Sequence, residues 1–162
     1  MIFRASVTLH VLAALFWLGG MMFLALVAAP VLRRVEPDAL RARLFNDLGN
    51  RFRTAGWLTV GVLVVTGIVN LRYHGVLSWD VLGQARFWHT RFGTALGIKL
   101  SSVAVLLVVQ AIHDFVLGPQ AARAEPGSAD AVRLLRRAAL LVRANALVAL
   151  VLVIAAVRLP RT

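Results

Sequence analysis

The sequence predicts an all-α membrane protein, a four-transmembrane-helix bundle with both termini outside (N-out/C-out). Three observations carry that expectation. First, 60% of the 162 residues are hydrophobic and the mean hydropathy is +0.80, more apolar than the interior of a soluble domain of this size requires. Second, the apolar residues fall into four blocks, at about 3–32, 55–73, 90–117 and 133–157, each near or above the roughly 20 residues that cross a bilayer as a helix. Helices are the form expected because an open sheet leaves backbone groups unsatisfied in lipid. Third, the net charge of +11 is concentrated at the block ends. Arg33, Arg34, Arg41, Arg43, Arg51, Arg53, Arg123, Arg133, Arg136 and Arg137 lie on one side, against Arg4, Arg72, Arg86, Arg91, Arg158 and Arg161 on the other. Ten against six places the first side in the cytoplasm by the positive-inside rule. The basic excess thus reads as topology and attraction to anionic headgroups, not as a nucleic-acid footprint. There is no cysteine, which excludes disulfides and thiolate metal sites.

The first block places His10, Ala14, Trp17, Met21 and Ala28 on one helical face, with Gly19 and Gly20 allowing a neighbour to approach closely. Its length and lack of a small-residue cleavage site predict a retained span, ending near Pro30. Leu40, Leu44 and Leu48 then alternate with Arg41, Arg43 and Asp47, the pattern of a helix continuing beyond the membrane. In the second block Thr59, Thr66, Asn70 and His74 share a face, with Gly56, Gly61 and Gly67 as packing points. The polar interruption from His74 to Gly93 carries Trp79 and Trp88, suited to the interfacial aromatic belt, and LSWDVLGQARFW reads as a short cap. The third block lines up Lys99, Ser102, Gln110 and His113, and Lys99 lies deep enough to predict a buried role. Gly118 and Pro119 signal its end. The fourth carries Arg143 and Asn145, with Arg143 expected to neutralise Asp114. No repeat or second domain is visible, so residues 1–162 read as a single integral membrane domain.

With the N-terminus outside, His10 lies about two turns into its helix, roughly 12 Å at 1.5 Å per residue. His74 and His89 cap neighbouring helices at the same end, Lys99 lies somewhat deeper, and His113 is at the opposite end. Neutral imidazole is the commonest metal ligand, and without cysteine or carboxylate in this outer set the choice narrows to copper, zinc or haem iron. The candidate metal ligands are His10, His74 and His89, with Met21 as a soft donor. The candidate cofactor-binding set is His10, Trp17 and Lys99, with Arg72 and Arg91 to meet propionates if the occupant is haem. No catalytic residue is identified, so the expectation is binding or transport rather than an enzyme.

These residues sit in segments that resemble a known family. HVLAALFWLGGMMFLALVAAPVLRR, RFRTAGWLTVGVLVVTGIVNL and TRFGTALGIKLSSVAVLLVVQ resemble the CopD copper-resistance membrane proteins, through His10, Trp17, Gly19 and Gly20, through Arg51, Phe52, Thr66 and Gly67, and through Gly93, Lys99 and Leu100. The resemblance implies copper handling or transport across the cytoplasmic membrane by a multi-pass protein, with a periplasmic metal-carrier protein as partner; a homo-oligomer is also expected. The chain is also similar to the four-helix HemJ-type protoporphyrinogen oxidases, through His10, Trp17, Lys99 and His113. That second likeness implies b-type haem and, if the protein is an enzyme, a haem-dependent oxidoreductase or electron-transfer role.

Overall fold

The computed structural model describes residues 1–124 and 128–158, without the side chains of residues 122, 131, 135, 142 and 150–158. The described residues are helical with no strand. Helix α1 runs Ile2–Leu32 and α2 runs Asp38–Tyr73. Two short helical turns follow, α3 at Trp79–Leu82 and α4 at Ala85–Trp88; α5 runs Arg91–Ile112 and onward to Arg123, and α6 runs Ala129–Arg158. Helices α1, α2 and α5 are long and apolar enough to cross a membrane. The fourth expected span, 133–157, falls on α6, whose side chains from residue 150 onward lie outside the described residues.

Helix α2 has 36 residues, about 54 Å of helix against a hydrocarbon layer of about 30 Å. Its first turns therefore project from the bilayer, as the Leu40, Leu44 and Leu48 pattern predicts, and carry the exposed pairs Arg41–Asp38 at 2.8 Å and Arg43–Asp47 at 4.0 Å. The helix ends at Gly75, whose φ of +68° suits the left-handed position after a helix. The amides of Gly75 and Val76 bond back to the carbonyls of Arg72 and Leu71, the Schellman closure that leaves fewer orphan carbonyls. At the start of α5, Thr90 Oγ1 accepts the Gly93 amide at 3.0 Å, an N-cap.

Helix α1 ends at Leu32, two residues past Pro30, as expected, whereas α5 passes the expected stop at Pro119 and continues to Arg123. In each case a π-helical turn immediately precedes the proline segment, at Leu24–Ala28 and at His113–Leu117. Proline removes an amide donor and crowds the carbonyl one turn back, and local widening to the π form accommodates both inside a membrane helix. Pro119 therefore redirects the carbonyl ladder without ending the helix.

The long helices pack antiparallel in register. Phe3 meets Tyr73 with ring centroids 5.4 Å apart, His10 bonds Thr66, and Trp17 lies against Gly56. Across to α5, His74 meets Phe92 at 6.2 Å and Trp57 meets Phe115 at 5.5 Å. One layer joins all four long helices: Trp17 and Met21 from α1, Val60 from α2, Leu106 from α5 and Ala149 from α6. Most other apolar side chains of the spans, including Leu12, Phe16, Leu58, Val65 and Val105, are exposed, as lipid-facing residues are.

The glycine pair in α1 divides by function. A Cβ at Gly20 would collide with the Phe52 ring, whereas one at Gly19 would meet nothing. Gly20→Val is therefore expected to lower the melting temperature in detergent, because overpacking forces Phe52 and the helix apart. Gly19→Ala should leave stability unchanged or raise it, since alanine is the better helix former by about 1 kcal/mol. Thermal unfolding of the two variants beside the parent checks the contrast.

Candidate functional site

The half of the bundle that holds the N-terminus carries a polar seam between α1 and α2. Ser6 and His10 project from one face of α1, and Thr66, Asn70 and His74 succeed one another at four-residue spacing along α2. Thr66 is buried, and its hydroxyl donates to the Val62 carbonyl at 2.7 Å. A hydroxyl has one proton, so the contact of 2.8 Å between His10 Nδ1 and Thr66 Oγ1 is assigned as Nδ1–H donating. Nε2 is then the unprotonated nitrogen, with its lone pair available to a ligand. Gly67 lies beside the ring: a Cβ there would make an ordinary contact, 3.7 Å from Cε1.

Two features complete this seam. Asn70 Oδ1 is buried with no hydrogen-bond partner among the described residues, an acceptor aimed at nothing, at a cost of about 1–3 kcal/mol. Lys99 lies on α5 at the depth of His10, seven residues on from Phe92 as His10 is from Phe3, with both phenylalanine rings against His74. Its side chain is exposed, contrary to the buried role expected, because α5 turns this position outward and the long alkyl stem can follow the apolar surface.

Deeper in, the four-helix layer holds two more orphans. Trp17 Nε1 and Asn145 Oδ1 have no partner among the described residues, although Trp17 is 7% and Asn145 3% exposed. Asn145 Nδ2 instead approaches the thioether of Met21 at 3.9 Å. Met21, at 3% exposure, is the buried one of the three methionines; Met22 is half-buried and Met1 exposed.

At the opposite end of the bundle from His10 stands Asp114, buried at the π-helical turn of α5. Trp57 Nε1 and Gln110 Nε2 donate to its Oδ2 at 3.0 and 2.7 Å, and His113 Nδ1 lies 2.8 Å from Oδ1. Arg53 Nη1 reaches the Asp114 carbonyl at 3.4 Å. The carboxylate is thus held by neighbours on α2 and α5, and Arg143, the expected neutralising partner, is exposed. Rotation of α6 about its axis decides this, and periodicity in the sequence does not fix that rotation.

The remaining expected residues are distributed as follows. His74 is exposed, with its ring edge-on to Phe3 at 5.6 Å. His89, Arg72 and Arg91 are exposed at the same end of the bundle. Among the described residues no three His, Cys, Asp or Glu side chains are close enough to hold a metal ion together, so His10, His74 and His89 do not form a three-ligand set here. Sequence reading missed the orphaned amides of Asn70 and Asn145 as site features; the signal available was an amide in the middle of an otherwise apolar helix face.

A cysteine-free helical bundle with three helices able to span a membrane, and with imidazole, thioether and amide groups between them, defines an integral membrane protein. The chain belongs to the CopD family, copper resistance protein D, whose pattern it matches over residues 47–159. It is similar to an uncharacterized protein of Aquifex aeolicus (strain VF5), 33% identical over 118 residues covering 72% of this chain and 71% of that protein. No solved structure matches it.

Proposed function

We propose that the chain binds copper at His10 and hands it across the cytoplasmic membrane, as a four-span protein with both termini outside. The observation that supports this reading most is the pinned His10 ring: Thr66 takes Nδ1 and leaves Nε2 free inside the span. Imidazole suits copper, and thioether suits Cu(I) in particular, so His10 and Met21 on one face of α1 are donors of the right kind for this cargo. His74 and His89, exposed at the same end, are the groups that receive the ion from a periplasmic metal carrier. Trp17 separates His10 from Met21, and Arg72 and Arg91 keep the outer rim cationic.

Lys99 tunes release. A positive charge near His10 opposes a bound cation, so its removal strengthens retention. Lys99→Met is expected to bind copper severalfold more tightly at the outer site and to pass it on more slowly, read by competition with a copper chelator and by uptake into proteoliposomes.

Metal analysis and the absorption spectrum of the detergent-purified protein test the proposal. Copper retained without a Soret band supports it. A Soret band retained through purification overturns it in favour of b-type haem, with His10 as an axial ligand.

A further inference from the structure

We propose that Met21, Asn145 and Trp17 form a second station for Cu(I), about 16 Å of helix further in than His10. This rests on the reading that copper is the cargo. It adds the oxidation state, the ligands and a stopping point in the inner half of the bundle.

A native structure rarely leaves a buried amide oxygen unanswered, and Asn145 Oδ1 is unanswered at 3% exposure among the described residues. Its own amide nitrogen is set against a thioether, a weak acceptor, at 3.9 Å. Amide orientation is assigned from partners; turned the other way, Asn145 presents its carbonyl oxygen to Met21 Sδ. Two lone-pair donors facing each other are unfavourable alone and favourable around a cation. Sulfur and oxygen hold a first-row ion at about 2.3 and 2.1 Å in zinc sites, so one ion fits at a bent angle between atoms separated as these are.

Thioether and neutral amide, with no carboxylate, select a soft ion of low charge over a hard divalent one. Trp17 stands one turn before Met21 on the same face and in the same packed cluster. An indole in that cluster favours a cation near its ring, an attraction that grows when the site is desolvated. Water is the competing occupant, since it would satisfy an orphan donor and an orphan acceptor.

Ag(I), a soft monovalent ion that does not change oxidation state, is the probe. Silver bound per chain and saturable quenching of tryptophan fluorescence are measured on the full chain in detergent. Quenching present in the parent and absent from Trp17→Phe is assigned to the inner station. Met21→Leu and Asn145→Leu are each expected to weaken that quenching about tenfold or more and to lower the silver bound. His10→Ala should keep the quenching and lose the outer ion. Met21→Leu preserves volume, and Met21→Cys, which keeps a soft sulfur, is expected to retain quenching and so separates ligand loss from misfolding. Parent-like quenching in both Met21→Leu and Asn145→Leu, or no saturable quenching in the parent, overturns the station and leaves water as the occupant. If His10→Ala binds as much silver as the parent while the inner variants lose it, the outer reading fails and the station stands.

Discussion

His10→Ala is expected to abolish copper binding at the outer site while the protein remains folded. The imidazole is half-buried, and the hydrogen bond it gives up is to Thr66, whose hydroxyl keeps its own partner in the Val62 carbonyl. Loss of the side chain therefore leaves no stranded donor on α2. Removal of a ligand should weaken binding by more than the roughly 10–100-fold typical of losing a group that merely orients one. Thr66→Val, which removes that orienting group and frees Nδ1, is expected to fall within that smaller range. His113→Ala, at the inner end, should leave outer binding at the parent level. Chelator competition on the purified variants reads all three, and equal losses in the His113 and His10 variants would show that the outer and inner histidines are not separate.

Asp114→Leu is expected to have the largest effect on stability. The substitution strands the Trp57 indole N–H, the Gln110 amide and the His113 ring nitrogen that now share its oxygens. A buried donor without a partner costs about 1–3 kcal/mol. With partial relaxation the network loss amounts to about 3 kcal/mol, or roughly 6–12 °C in Tm for a chain of this size. Asp114→Asn retains a carbonyl acceptor and should lose less than half as much. Melting curves in one detergent compare the two. A parent-like Tm for Asp114→Leu would mean that the network contributes nothing to the fold.

Much of the architecture is legible in the sequence because the bilayer limits the options. Apolar length dictates helices, and the stripe of His10, Trp17 and Met21 on α1 identifies the face that turns inward, which the structure shows as Ser6, Ala13, Trp17 and Met21 buried. The continuation of α2 past the membrane follows from the spacing of Leu40, Leu44 and Leu48. Pro119 misleads, because the rules that end helices in water assume that a lost hydrogen bond finds solvent; there a π-helical turn supplies the adjustment instead.

The polar partnerships are less legible. Asp114 is charged and near the depth of Arg143, yet the structure gives it to Trp57, Gln110 and His113, since depth along an axis says nothing of rotation about it. The same ambiguity affects the histidines. His10, His74 and His89 share an end of the bundle, but His74 and His89 are exposed while His10 is half-buried, against a threonine whose hydroxyl is committed elsewhere.

Copper K-edge X-ray absorption on the detergent-purified protein, loaded with copper at one ion per chain, tests whether His10 is the ligand. The multiple-scattering signature of an imidazole is expected in the parent and in His74→Ala, and is expected to be lost in His10→Ala. An unchanged imidazole signature in His10→Ala would contradict that assignment.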